Sequence, residues 1–129
     1  MREFYPELEP EIAMQGRHVQ DIPESLPLRL KKRGVDAVIC ISDHQAIRFM
    51  QAAFLAGFKI PDDFLLSGFG GIIDPHLTMP SLTTVEQHFE KMGQIATDMV
   101  MGHKRGKNVY VSTSIREGGS SRRKLPKTS

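Results

Sequence analysis

Val35-Asp36-Ala37-Val38-Ile39-Cys40-Ile41-Ser42-Asp43 and Phe64-Leu65-Leu66-Ser67-Gly68-Phe69-Gly70-Gly71 decide the fold of this chain. Each is an apolar run that stops abruptly at polar or glycine residues. Between them His44 to Phe58 reads as a helix of about four turns at ~3.6 residues per turn, and Pro61-Asp62-Asp63 breaks it. Strand, helix, strand is one parallel crossover unit. Open α/β sheets place their ligands just past the strand ends, where Ser42-Asp43 and Gly68 to Gly71 fall.

The rest of the chain reads outward from this unit. Upstream, Glu11 to Gln15 is a short strand candidate, followed by Gly16-Arg17-His18. Asp21 is the expected cap of a helix with Pro23 in its first turn, ending at Gly34, although Pro27 removes a donor from its second turn. In the central helix Asp43 is the expected N-cap, Ile47, Met50, Phe54 and Phe58 fit the 3–4 spacing of an apolar stripe, and Phe49, Ala53 and Ala56 widen the apolar surface. Downstream, Leu82-Thr83-Thr84-Val85 is a β-branched strand. A helix from about Gln87 to Gly102 carries Phe89, Met92, Ile95, Ala96, Met99 and Val100 as its stripe, and Val109 to Thr113 reads as a last strand. Gly118 to Ser129 has almost no apolar residue and is expected to be disordered.

Composition narrows the function classes. At 129 residues, 40% hydrophobic and 25% charged, the chain is one domain or less than one. No apolar stretch approaches the roughly 18 residues of a membrane span, and no signal-peptide pattern opens the chain. Cys40 is the one cysteine, which points to a reducing compartment, the cytoplasm. The net charge is +2, but residues 116–129 hold five basic residues against Glu117, so the remaining 115 residues sum to −2. That body is not a basic nucleic-acid surface.

Few residues carry chemistry. Asp43, at a strand end and helix start, is the best polar candidate for holding a ligand hydroxyl, although capping alone would explain it. Ser42-Asp43-His44 has the residue types of a hydrolase triad, but adjacent residues do not converge on one point. Gly68-Phe69-Gly70-Gly71 lacks the spacing of a dinucleotide loop, and no phosphate-loop lysine follows. The histidines His18, His44, His76, His88 and His103 form no metal-ligand pattern, so no metal or other cofactor is expected. Phe89, at a strand-to-helix junction, serves either as core or as a stacking surface for a ligand ring. Residue chemistry alone describes an α/β ligand-binding unit with no catalytic constellation, and no enzyme activity is expected.

The order of the motifs adds to this. Asp36 to Asp43 with Ala46, then Gly57-Phe58-Lys59-Ile60-Pro61-Asp62-Asp63, then Ser67-Gly68-Phe69, then Pro80-Ser81-Leu82-Thr83-Thr84-Val85-Glu86-Gln87 followed by Met92-Gly93 resemble the effector-binding domain of the LacI/GalR family of bacterial transcriptional repressors. The resemblance runs from about Gly16 to Ser121. It implies an α/β, parallel-sheet, Rossmann-like fold of the periplasmic-binding-protein type I kind, here an incomplete half. It further implies a sugar or nucleobase effector in a cleft, homodimers, and operator DNA bound through a helix-turn-helix head that this sequence does not contain.

Carried over residue by residue, the resemblance implies ligand contacts from Ser42, Asp43 and Phe89, and from Arg17 or His18. It implies dimer contacts from Ile47 and from the segment Asp74–Met79 with His76, Leu77 and Met79. Gly70 departs from the family pattern, which has an aspartate there that commonly binds sugar hydroxyls; either His18, Arg17 or His44 takes over, or the effector is anionic or a protein. Residues 1–115 are then the C-terminal portion of an effector-binding domain, with about 88–115 belonging to or bridging to the other subdomain, and 116–129 a basic tail. A strand expected between those near residues 12–15 and 37–41 is not in the sequence, so the chain reads as a fragment that should dimerise or behave poorly when alone. A periplasmic-type sugar-binding protein of the same fold is the alternative reading.

Overall fold

The computed structural model describes residues 22–102 and 108–123. The expected strand Glu11–Gln15, the cap Asp21, and Arg17, His18 and His103 lie outside the described residues. The described chain forms α1 (Leu26–Lys32), β1 (Ala37–Ile39), α2 (Asp43–Leu55), β2 (Leu65–Gly70), β3 (Thr83–Glu86), α3 (Phe89–Val100) and β4 (Ser114–Arg116), with short 3-10 turns at Pro75–Leu77 and Gly119–Ser121. The sheet order is β1-β2-β3-β4. β1 to β3 are parallel, and β4 returns antiparallel to β3 with Thr84 opposite Arg116 and Glu86 opposite Ser114. The parallel α/β unit expected from Val35 to Gly71 is the centre of the fold.

α1 starts at Leu26, so Pro27 sits in its first turn, where its missing N–H costs nothing. Its last turn carries Lys31 and Lys32, favourable at the negative end of the helix dipole. The core joins Leu26 and Leu30 of α1, Cys40, Ala46, Phe49 and Ala53 of α2, and Phe64, Leu66 and Leu82 of the sheet layer. Phe64 is fully buried and meets Phe49 and Phe58 edge to face, each at 5.4 Å between ring centroids. The Lys31 ammonium lies 5.2 Å from the centre of the same ring.

The buried face of α2 is centred on Phe49 and Ala53, expected only to widen the stripe, and not on the stripe itself. The helix buries Asp43, Ala46, Phe49, Ala52 and Ala53, whereas Phe54 is 79% exposed and Ile47 and Met50 are half-buried. The buried face sets three alanines around Phe49, and Phe54 and Leu55 lie on the outer side. The N-cap is Ser42, whose Oγ accepts from the Gln45 N–H at 3.3 Å, and not Asp43.

Two further expectations are corrected. The last strand is Ser114–Arg116, and Val109 to Thr113 is irregular and largely exposed. Residues 116–121, expected as part of a disordered tail, belong to the fold. Ser120 is fully buried: its hydroxyl donates to the Leu66 carbonyl at 2.7 Å and accepts the Thr83 N–H at 2.9 Å, which stitches β2 to β3. The Thr83 hydroxyl accepts the Gly118 N–H at 2.8 Å and lies 2.7 Å from Ser121 Oγ. Small polar side chains here serve buried backbone groups, so low hydrophobicity does not mean disorder.

Candidate functional site

The C-terminal ends of β2 and β3 and the first turn of α3 enclose an open groove of about 630 Å³, lined by Gly70, Gly71, Glu86, His88, Phe89, Glu90, Lys91, Gln94 and Ser112. Its floor is shaped by the chain leaving β2. Gly71 has φ +74, and a Cβ there would sit 2.8 Å from Glu86 Cγ and 2.9 Å from its Cα, so only glycine lets the turn lie against β3. The Gln87 N–H donates to the Gly70 carbonyl at 3.3 Å. Phe89, which opens α3, is 48% exposed and is therefore a groove wall and not core. His88 precedes it in the left-handed region, φ 53, with its Nε2 at 3.0 Å from Ser114 Oγ. That contact links the start of α3 to β4.

Of the residues expected in the site, the structure brings Gly70 and Phe89 together. Ser42 and Asp43 are not among the lining residues, and their side-chain oxygens are engaged elsewhere. Ser42 caps α2. Asp43 is fully buried: Oδ1 accepts the Thr84 hydroxyl and Oδ2 accepts the Ile72 N–H at 3.0 Å. A Cβ at Gly68 would lie 2.5 Å from Asp43 Oδ1, so this glycine admits the carboxylate between α2 and the sheet. Asp43 ties the start of α2 to β3 and to the turn beyond β2, a structural knot with no oxygen turned to the groove. Phe89 excepted, the residues on the β3 and α3 side were missed as a set. Glu86, His88, Glu90, Lys91, Gln94 and Ser112 show no motif spacing; the readable signal was the strand-to-helix junction at Gln87 to Phe89.

Glu86 is held. Its Oε1 accepts from Arg116 Nη1 at 2.9 Å, while Arg116 Nη2 donates to the Ile73 carbonyl at 2.7 Å. The pair is about one quarter to one third exposed, 25% and 30%. Burial pushes the Cys40 thiol up to about 12, away from the groove and uncharged at neutral pH. Among the described residues no group of three or more His, Cys, Asp or Glu is placed to hold a metal ion, and no helix is long and apolar enough to cross a membrane.

Residues 3–121 match the family pattern of the periplasmic binding protein-like domain. The chain belongs to that family. Within it, the resemblance to LacI/GalR-type regulators holds. The chain is 39% identical over 67 residues to the ribose operon repressor of Halalkalibacterium halodurans, a match covering 52% of this chain and 20% of that protein. The transcription regulator CcpA of Lactococcus lactis has the same fold, with a TM-score of 0.74 at 21% identity over 92% of this chain and 46% of that one. A LacI family transcriptional regulator from Arthrobacter sp. FB24, solved in complex with lactose, gives 0.70 at 17% identity over 82% and 42%. This periplasmic binding protein-like domain therefore spans less than half the length of these relatives. They are transcriptional regulators.

Proposed function

We propose that this chain is the effector-binding and dimerising part of a LacI-type transcriptional repressor, acting in the cytoplasm. Its effector is a sugar or sugar derivative. Operator DNA is bound by a helix-turn-helix head outside this sequence. The observation that carries the reading is the groove at the C-terminal strand ends, walled by Phe89 and floored by Gly70 and Gly71. An aromatic face beside polar side chains suits a sugar ring, which has apolar C–H faces and a hydroxyl rim.

Two further features support it. Leu77 is 77% exposed, Met79 95%, His76 is exposed and Ile47 half-buried, and we assign these residues to a homodimer contact. We assign residues of about 88–115 as belonging to or bridging to a second lobe, a reading supported by α3, which buries no residue although its stripe is apolar.

The test is a thermal-shift and calorimetric panel of lactose, D-ribose, other sugars and sugar phosphates. A ligand at about 100 times its Kd adds about 2.7 kcal/mol to stability. Saturable stabilisation by at least one sugar, weakened in Phe89→Ala, is the expected result. A panel with no hit, or a hit unchanged in Phe89→Ala, would sink the assignment of this groove.

A further inference from the structure

The groove has no side chain at Gly70 or Gly71, and Asp43 is spent inside the fold, so the acceptor for a ligand hydroxyl must come from another residue. We infer that Glu86 is that acceptor, that it determines specificity for neutral polyhydroxylated ligands, and that Arg116 is its positioning residue. The inference rests on the sugar-effector reading and adds the groups that recognise the sugar.

Among the described residues three carboxylates lie at or beside the groove. Asp43 has both oxygens occupied and no exposed surface. Glu90 lines the groove from the first turn of α3, exposed and with no described side-chain partner to fix it. Glu86 also lines the groove, opposite Gly70 in the β2–β3 register, and only its Oε1 is taken. Oε2 makes no hydrogen bond to another described residue. An oxygen held on a rigid strand, beside one already anchored, is a preorganised acceptor. A ligand need not freeze the side chain in order to use it.

Arg116 does the holding. One arm grips Glu86 and the other grips the Ile73 carbonyl, and its buried Nε has no acceptor among the described residues. The guanidinium therefore fixes the carboxylate and the turn from Gly70 to Ile73 together. The same turn is pinned from the opposite side by the Ile72 N–H on Asp43. Arg116 also offsets the charge of Glu86, so the groove does not select for cations. Acceptance of a neutral hydroxyl is the chemistry that remains.

The test uses the chain with D-ribose and lactose as probes, followed by calorimetry or ligand-observed NMR. Glu86→Gln keeps the shape and removes the charge-assisted acceptor, and its affinity for the sugar the chain takes is expected to fall about tenfold or more. Arg116→Gln is expected to weaken binding about threefold to tenfold alone, and to add nothing in the Glu86→Gln background, because it acts only through Glu86. Additive losses would overturn the positioning role, since general loosening of the fold lowers affinity in either background. Unchanged binding by Glu86→Gln would overturn the acceptor role while leaving the sugar reading intact. Binding of no sugar of the panel above, D-ribose and lactose included, by the unmodified chain would remove the sugar reading, and this inference with it. The melting temperature of each variant without ligand identifies one that fails to fold, and Glu86→Asp, which shortens the reach but keeps the charge, then serves in its place with the same expected loss.

Discussion

The two long helices of this domain have similar length and opposite fates. α2 places Ala46, Phe49, Ala52 and Ala53 against the sheet and sets the Asp43 carboxylate between β3 and the turn after β2. α3 has the more regular apolar stripe, yet buries no residue, and leaves Met92 at 44% and Val100 at 86% exposure. Amphipathic patterning says that a helix wants a partner and is silent on whether the partner lies in the same chain segment. α2 is held by its contacts within the described domain. α3 borders the first groove with one end, and Met92, Ile95, Ala96 and Met99 of its stripe line a second groove with Val109 and Val111.

This contrast can be broken at its strong end first. Phe64→Ala removes the ring shared by Phe49, Phe58 and Lys31, and should cost about 3–5 kcal/mol in urea unfolding. A loss under about 1 kcal/mol would mean that the core is not where the structure puts it. Asp43→Ala should cost about 2–3 kcal/mol by leaving the Thr84 hydroxyl and the Ile72 N–H without their acceptor. Hydrogen exchange at Ile72 should accelerate in the same variant, and an unchanged rate would argue that the tie is weak.

The third prediction concerns pH. The Cys40 thiol titrates near 9.0 when unfolded and is pushed up to about 12 by burial. Above pH 9 the unfolded chain therefore releases a proton that the folded chain keeps, and folding stability falls as pH rises from 9 toward 12. Unfolding midpoints compared at pH 7.5 and pH 10 should drop more for the unmodified chain than for Cys40→Ala. Equal slopes would place Cys40 outside the core. The smallest effect belongs to α3: Met92→Ala and Val100→Ala should each change stability by less than about 0.5 kcal/mol. Losses of 2 kcal/mol or more would show that α3 is packed after all and erase the contrast.

The crossover unit, β3 and α3 were all legible because apolar runs ending in Ser-Asp or Gly-Gly, and a Leu-Thr-Thr-Val run before a periodic segment, leave little choice of element. The family resemblance stood on the same residues and held. What was not legible depended on distance. Nothing in the spacing of Phe49 and Phe54 says which turns inward; the structure sets Phe49 among Ala46, Ala52 and Ala53 on the buried face. Val109 to Val111 have better strand propensity than Ser114 to Arg116. The latter stretch is the one paired with β3, and it carries the arginine that reaches Glu86 and Ile73. Asp43 looked like a ligand group because strand-end carboxylates often are; only its hydrogen bonds show that it is consumed. Glu86 was invisible for the reverse reason, since its importance comes from Arg116, thirty positions away.

The Ser120 stitch has a consequence for how the chain is made. The hydroxyl that closes β2 onto β3 arrives 54 positions after Leu66. During synthesis the three parallel strands emerge first, with the Thr83 N–H and the Leu66 carbonyl waiting for a residue not yet translated. Contacts of such long separation form late. A nascent chain stopped before Gly118 would hold an unsealed sheet, open to chaperones and proteases, and residues 118–121 act as the latch that withdraws it from both.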